Sequence, residues 1–403
     1  MKMNKFSSVM MCAACCAILG LGCGKDAGRH VGEIKEANIK AEDLKVVKVA
    51  DGVEIAMVRV EPGSFTMNQG DGKNFANEVE HTKKLTKVFY IGQTEVTQKQ
   101  YRAVVDMWKA KFPEKYAELY PEVWNSELGK DKFGEYIRPM NFFFSKDGKG
   151  KDRISEETNL DNYPVENISW VEAMDFCMML NDLDLAPKGY KFTLPTETQW
   201  EFAARGGNAG KNNKYVYSGS NNIDNVAWYN ETAAGRTGRV KEVGVSNADD
   251  KRSCNELGLY DMSGNVAEWC LDSWVRESDK TQAEFDIKNW SVDSLRYRKL
   301  IHKEIEQKLS FDNKRDIRDG LKLTAEEKDA LDTFKCTWRS YRGGAWSGNA
   351  TVCRISNRGA FSPYELHKDV KKNEKDKNAK NDLIYSVVGY PHIGIRLVLV
   401  PAE

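Results

Sequence analysis

Twelve residues in the second half of the chain decide the fold, and they read Gly258-Leu259-Tyr260-Asp261-Met262-Ser263-Gly264-Asn265-Val266-Ala267-Glu268-Trp269. The apolar members of this stretch can face a core, and its two glycines permit backbone shapes that a Cβ would block. Asp261, Asn265 and Glu268 bring oxygen atoms close together without a Lys or Arg inside the stretch. Such oxygens suit a hard cation such as calcium, but Asp and Asn also cap their own backbone in an ordinary turn. Local chemistry alone favours the ordinary turn.

Length and charge limit the classes of function that are open to this protein. The chain has 403 residues, which is enough for one large hydrophobic core or two ordinary ones. Lys and Arg together number 60, as do Asp and Glu, so no global field attracts nucleic acid and we expect no nucleic-acid partner. The low proline content and the lack of low-complexity segments indicate a folded chain.

The N-terminus has the pattern of an export signal. Lys2 and Lys5 precede the uncharged apolar run 6–22, which is short for a membrane-spanning helix. Gly20-Leu21-Gly22-Cys23 then resembles a bacterial lipobox, in which Cys23 becomes the lipidated first residue of the mature protein. Secretion with cleavage nearby and an uncleaved anchor are the alternatives. We therefore predict a signal peptide over 1–22, a lipidated membrane tether over 23–45, and a location in the bacterial cell envelope.

The remaining residues, 46–403, mix predicted strands with long irregular segments. Residues 53–60 alternate apolar and polar side chains, stop at Pro62-Gly63 and continue as 64–67, a pattern that predicts a β-hairpin. Residues 393–400 are predicted to form a single final strand. Two charged stretches, 107–163 and 275–335, lack the patterns of their surroundings, so we predict insertions there, the second of them helical.

Local signals also predict where four helices begin. Three pairs have the spacing of a capping box, namely Ser169 with Glu172, Thr196 with Gln199, and Thr324 with Glu327. Thr97 is placed to cap a fourth helix, whose apolar side chains recur at helical spacing.

Eight short motifs follow one another in a fixed order between residues 62 and 396. They are Pro62-Gly63-Ser64-Phe65-Thr66-Met67, Glu95-Val96-Thr97, Pro164-Val165 with Ser169-Trp170, Leu194-Pro195-Thr196-Glu197 with Trp200-Glu201, the 258–269 stretch, Arg342-Gly343-Gly344, Cys353-Arg354, and Gly394-Ile395-Arg396. In this order they resemble the formylglycine-generating enzyme, or sulfatase-modifying factor, family. The resemblance does not cover the tether or the two insertions.

The resemblance implies an α+β, C-type-lectin-like fold with twisted mixed sheets, a few helices and much irregular loop. It also implies that the 258–269 stretch is a calcium site. On the family pattern, Asp261 and Glu268 supply side-chain oxygens, while Gly264 and Val266 supply backbone carbonyls. The family pattern thus reverses the inference from local chemistry, and calcium becomes the expected cofactor.

The family's oxidative chemistry does not carry over in the same way. The enzyme resembles a copper(I) oxidase with two cysteines five residues apart after Gly-Gly-Ser, because soft copper(I) accepts two thiolates. Here Gly348 stands at the first cysteine position, Cys353 at the second, and Ala345 replaces the serine. One thiolate cannot make that site, so we do not expect copper. Cys353 is a candidate catalytic residue of an altered centre, a packing residue, or a disulfide partner of Cys270 or Cys336.

Variable ligand-binding proteins, a different branch with this fold, are similar to this chain near the C-terminus. They share Arg-Gly-Gly-x-Trp, an Asn-rich run, Cys-Arg and a closing Gly-x-Arg. On that resemblance, a loop-borne binding surface consists of Trp346, Asn349, Ser356, Asn357, Phe361 and Tyr364. Tyr, Asn and Ser suit adaptable recognition, whereas the arginines of the same region can instead pair with buried carboxylates such as Glu197 or Glu201.

Two hypotheses of function follow from these observations. The first is a lipid-anchored, calcium-stabilised ligand-binding or scaffold protein, with a protein, peptide or glycan as its ligand. The second is an oxidase or protein-maturation enzyme with an altered metal centre that uses Cys353.

Overall fold

The structure is a computed structural model that describes residues 37–70, 78–119, 159–231, 252–274, part of 296–308, 322–371 and 382–402. The predicted signal peptide, Cys23 and most of the predicted tether lie outside these residues. Among the helices that are described, none is both long enough and apolar enough to cross a membrane.

The described strands fall into two larger sheets and two hairpin-like pairs. In chain order they are β1 (Leu44–Ala50), β2 (Val53–Val60), β3 (Gly63–Met67), β4 (His81–Leu85), β5 (Phe89–Gly92), β6 (Tyr190–Thr193), β7 (Ala267–Ser273), β8 (Arg339–Arg342), β9 (Gly359–Phe361), β10 (Glu365–Lys371), β11 (Asp382–Val388), β12 (Ile393–Gly394) and β13 (Val398–Pro401). The largest sheet has the order β1-β2-β5-β13-β6 and is antiparallel throughout. The second sheet has the order β12-β7-β8-β9, with β12 parallel to β7. β3 pairs with β4, and β10 pairs with β11.

Two strand predictions are wrong. The predicted hairpin between 53–60 and 64–67 does not form, because β2 pairs with β1 and β5, while β3 pairs with β4 in a separate sheet. The predicted final strand is two short strands in different sheets, β12 and β13. Between them Arg396 turns its side chain toward the buried Glu268. An alternating pattern identifies a strand but does not identify its partner.

Four of the six described helices begin where the predicted caps place them, at Thr97, Ser169, Thr196 and Thr324. The six are α1 (Gln98–Lys111), α2 (Pro113–Leu119), α3 (Trp170–Asp182), α4 (Glu197–Ala204), α5 (Gly207–Gly210) and α6 (Ala325–Cys336). All three predicted capping boxes form, and Thr97 makes a fourth with Gln100. The described residues of 296–308 are helical too, and Tyr297 stacks on Phe334 of α6 with ring centroids 4.1 Å apart.

Two aromatic side chains join the 258–269 stretch to the rest of the core. Trp269 is fully buried and donates its indole N–H to the carbonyl of Ile168 at 3.0 Å. Trp170, at the start of α3, donates to the carbonyl of Cys270 at 2.8 Å. α3 therefore packs on the face of β7, and the mixed helices and curled sheets confirm the predicted α+β class.

Candidate functional site

The 258–269 stretch turns through left-handed backbone conformations. Asp261 has φ 57° and Asn265 has φ 60°, in a region where Asp and Asn are enriched among non-glycine residues. Gly264 has φ 85°, and a Cβ there would lie 2.4 Å from the carbonyl oxygen of Trp228. The Gly264 N–H donates to the carbonyl of Gly343 at 2.9 Å. The turn therefore requires its glycine, and it holds the loop that follows β8.

Glu268 is a fully buried carboxylate that is paired with the guanidinium of Arg396. Its Oε1 accepts from Arg396 Nε at 2.9 Å and pairs with Nη2 at 2.7 Å. Its Oε2 accepts from Trp200 Nε1 at 2.6 Å and from Arg396 Nε at 2.9 Å. Burial alone would lower the pKa of Arg396, but the Glu268 carboxylate reverses that effect and raises it.

Glu95 is a second buried carboxylate at the turn, and the sequence analysis did not select it. Its oxygens accept from the Asn265 amide at 2.6 Å and from the Val266 N–H at 3.0 Å. Burial raises the pKa of Glu95 well above its ordinary value, and the charges of Asp261 and Glu268 raise it further. The signal that could have found it is the Glu-Val-Thr motif before α1, in which Thr97 was the residue selected.

The predicted calcium ligands fit a cation only in part. Glu95, Asp261 and Glu268 bring three buried carboxyl groups close enough to the turn for the charges of Asp261 and Glu268 to raise the pKa of Glu95, and such a group of oxygens suits a cation. Within the described residues, however, no three side chains of His, Cys, Asp or Glu form a metal-binding group, so backbone carbonyls such as those of Gly264 and Val266 would have to contribute. Each oxygen of Glu268 already has two donors, so Glu268 stays a predicted ligand that must first release Arg396.

The predicted pairing of Arg342 with buried carboxylates is confirmed. Its Nη1 donates to Glu197 at 3.0 Å, and its Nη2 donates to Glu201. Arg358 donates to both oxygens of Glu197, each at 2.7 Å. Burial alone would raise the pKa of Glu197, but Arg358 and Arg342 lower it to about 2. These pairs tie α4 to β8, and Arg354 is paired in the same way with Glu78.

Cys353 is fully buried, in a small cluster with Val226, Ala227 and Tyr229. Burial raises the pKa of its thiol to about 12, so it is a neutral thiol at pH 7 rather than the thiolate that nucleophilic or metal chemistry needs. None of the five described cysteines forms a disulfide, so neither Cys270 nor Cys336 pairs with Cys353. At Gly348 a Cβ would meet the end of the Val352 side chain at 2.3 Å.

The predicted ligand-binding residues divide into buried and accessible ones. Tyr364 is fully buried and donates its hydroxyl to Glu304 at 3.0 Å. Ser356 is buried against Arg354, and Trp346 is buried with its indole N–H 3.3 Å from the carbonyl of Pro391. These three side chains pack the loop rather than cover its surface.

The other three predicted residues keep accessible surface. Asn349 is exposed, but its side chain caps the 3-10 helix Ala350–Cys353 by accepting from the N–H groups of Thr351 and Val352. Asn357 and Phe361 are half-buried. The predicted surface is therefore smaller than the sequence suggested.

Phe361 belongs to an aromatic patch whose other members the sequence analysis missed. Its ring stacks on Tyr390 at 4.2 Å and on Tyr341 at 5.2 Å. His392 lies edge-on to all three rings, at 5.9 to 6.4 Å. Burial lowers the pKa of His392, so the imidazole is neutral at pH 7. A Cβ on Gly359 would collide with the Tyr341 ring, so this glycine makes room for the patch.

A family model described as a sulfatase-modifying factor enzyme 1-like domain matches residues 45–370. The chain is 33% identical over 192 residues to the chaperone protein LppX of Paenibacillus barcinonensis, a match that covers 46% of this chain and 62% of that protein. It is 27% identical over 245 residues to the inactive C-alpha-formylglycine-generating enzyme 2 of Bos taurus, covering 57% of this chain and 74% of that protein.

The chain is also similar to relatives that are named as enzymes and to solved structures. The formylglycine-generating enzyme of Streptomyces coelicolor is 28% identical over 233 residues, covering 53% of this chain and 68% of that enzyme. Among solved structures, Treponema denticola variable protein 1 aligns with a TM-score of 0.47 at 20% identity, over 89% of this chain and 99% of that one.

Proposed function

The chain belongs to the sulfatase-modifying factor family, and from this premise we propose that it is a non-catalytic member that binds a ligand or acts as a scaffold. The observation that carries the proposal concerns the two positions at which the family pattern has copper-binding cysteines. Gly348 supplies no ligand there, and Cys353 is a buried neutral thiol whose pKa is raised to about 12. Without a pair of accessible thiolates, soft copper(I) has nothing to bind.

The names of two relatives support a binding role. One is called a chaperone protein and another an inactive formylglycine-generating enzyme, so members of this family are named for roles other than catalysis. The half-buried residues Asn357 and Phe361, together with the half-buried Tyr341 and His392 of the aromatic patch, form the binding surface in this proposal, and the buried Tyr390 stacks on Phe361. Aromatic rings beside polar groups suit a protein, peptide or glycan ligand.

The proposal places the protein in the bacterial cell envelope, anchored through lipid on Cys23 and stabilised by calcium at the 258–269 turn. The lipobox-like sequence before Cys23 supports the anchor. The grouping of three buried carboxyl groups, those of Glu95, Asp261 and Glu268, supports the cation. Incorporation of radiolabelled palmitate into the wild-type chain, and its loss in Cys23→Ser, tests the anchor.

Mass spectrometry of a Cys-x-Pro-x-Arg peptide incubated with the protein and copper(I) tests the absence of catalysis. We expect no aldehyde product from the wild type. The double variant Gly348→Cys, Val352→Ala serves as the matched variant, since it restores the missing cysteine, removes the Val352 methyl group that the new Cβ would meet, and should bind copper(I) more tightly than the wild type. Aldehyde formation by the wild type, abolished in Cys353→Ser, would refute the proposal and support the altered oxidase instead.

A further inference from the structure

An open groove of about 710 Å³ lies along β6, on the side of the main sheet that faces α3. It is bordered by α3, by the segment 184–189 and by the start of β5. Its volume is within the range of roughly 300–1,000 Å³ that ligand sites occupy. None of the residues assigned to calcium, to the thiol position or to the aromatic patch lines it, so it is a separate site.

The floor of the groove is apolar and rich in sulfur. Met174 and Met178 lie one turn apart on α3, 5% and 8% exposed, and they line the groove together with Leu271 of β7. Methionine side chains are unbranched and polarizable, so they adjust to apolar groups of different shapes. Adaptable protein-binding surfaces use methionine in this way.

The rim of the groove carries free positive charge. Its two acidic residues are engaged, because Asp182 accepts from Trp108 and Lys115 at 3.0 Å and Asp184 lies 3.8 Å from Lys111.

Three exposed lysines complete the rim, and they are Lys87, Lys188 and Lys191. No ion pair joins any of them to another residue in the part of the chain that the structure describes. The rim therefore favours a partner with carboxylates.

The outer edge of β6 is already satisfied where it meets the groove. The side-chain amide of Asn181 accepts from the N–H of Phe192 at 2.8 Å and donates to its carbonyl at 2.9 Å. Asn181 thus makes the two hydrogen bonds that a neighbouring strand would make. A ligand is left to bind through its side chains, to the apolar floor and to the lysines.

We propose that this groove binds an extended peptide segment of another protein, in which carboxylate side chains alternate with apolar ones. Three lysines on different segments of the rim match several carboxylates spread along a chain, whereas a fatty acid has only one. Apolar side chains of the peptide rest on Met174 and Met178. The binding does not depend on the aromatic patch, so it stands or falls separately from the proposed function.

Fluorescence anisotropy of a labelled octapeptide that alternates glutamate with leucine, phenylalanine and valine tests the proposal on the full chain. We expect saturable binding that weakens with salt, and binding at least tenfold weaker when lysine replaces every glutamate. The double variant Lys188→Glu, Lys191→Glu should lose at least tenfold in affinity. Lys84→Glu, which changes an exposed lysine of β4 outside the groove, should bind as the wild type does.

Further measurements distinguish the peptide from other ligands and the groove from other binding sites. Ala186→Trp, on the groove wall, should also weaken the peptide, whereas Phe361→Ala should not. Dodecanoate and phosphatidylglycerol vesicles are added as competitors, and displacement of the peptide by either would overturn the proposal in favour of a lipid. Absent binding, or equal binding by the wild type and the Lys188, Lys191 double variant, would also overturn it.

Discussion

The 258–269 turn and the 343–361 loop touch each other, but different interactions hold them. The Gly264 N–H donates to Gly343, and the Trp346 N–H donates to Asn265. On the turn side, a buried ion pair between Glu268 and Arg396 and left-handed backbone conformations fix the shape. On the loop side, a short 3-10 helix, its asparagine cap and a buried thiol fill the space around residues 349–353, and two buried ion pairs, Arg354 with Glu78 and Arg358 with Glu197, hold the residues that follow.

This difference distinguishes residues that maintain the fold, in the turn, from residues at the position of the family's reaction centre, in the loop. A substitution in the turn leaves either a buried charge without its partner or a left-handed backbone that the new residue does not favour. We therefore expect the turn to tolerate few substitutions. In the loop, Gly348 occupies the position that the family pattern gives to a metal ligand, and a Cβ there would meet the side chain of Val352. On the proposed function, the family fold keeps its shape without that reaction centre.

Removing Arg396 should have the largest effect on stability. Arg396→Ala leaves Glu268 buried without a cation, so we expect the free energy of unfolding to fall by about 3–5 kcal/mol. Urea denaturation of the full chain measures the change. Arg102→Ala breaks a half-exposed pair with Asp161 and should cost about 0–1 kcal/mol. Similar costs for both variants would mean that the turn and the surface are equally tolerant.

Removing calcium should have the next largest effect. If the turn binds the ion, then calcium at a hundredfold excess over its Kd stabilises the chain by about 2.7 kcal/mol, and chelator removes that amount. Thermal melting in calcium and in EDTA measures it, with Asp261→Asn as the variant that should respond less to either. A melting curve that does not change in EDTA would rule out the ion at this turn.

The carboxyl group of Asp272 should make stability depend on pH. Burial, and then the charge of Glu197, raise the pKa of Asp272 to about 6. Because this folded value exceeds the ordinary value of 3.8, the folded state keeps the proton longer, so stability from this group falls as pH rises from about 4 to about 6.

Asp272→Asn removes that loss, so it should stabilise the chain by about 1–2 kcal/mol at pH 8 and change little at pH 4. Urea denaturation at the two pH values compares the variant with the wild type. Equal gains at both values would show that ionisation of Asp272 is not the cause.

The smallest effect is expected in the loop. Asn349→Ala removes the side chain that caps the 3-10 helix Ala350–Cys353, and caps of this kind contribute about 1 kcal/mol. Ser347→Ala, at an exposed neighbouring position, should stay within about 0.5 kcal/mol of the wild type. A loss as large as that in Arg396→Ala would remove the contrast between the two regions.

Features set by neighbours in sequence could be predicted. Each capping box needs only a side chain and the N–H three residues later, so Ser169 and Thr196 marked the starts of α3 and α4 correctly. The sequence also offered the alternative that Arg342 pairs with a buried carboxylate such as Glu197 or Glu201, and in the structure it pairs with both.

Features set by distant segments could not be predicted. The strand β3 alternates as a hairpin arm would, but its partner β4 comes later in the chain, at His81–Leu85, rather than before Pro62. Tyr341, Tyr390 and His392 form one patch only because β8, β9 and the segment before β12 meet in space. No periodicity in the sequence indicates that these segments lie close together in the fold.

The position of β13 has a consequence for how the chain folds. β13 lies between β5 and β6, so the main sheet stays in two separate pieces until residues 398–401 arrive. Pairing across more than 300 intervening residues closes late, because loop-closure entropy must be overcome before those contacts form. Until those contacts form, the open edges of β5 and β6 are exposed to aggregation, so escort by another protein would matter most in that interval.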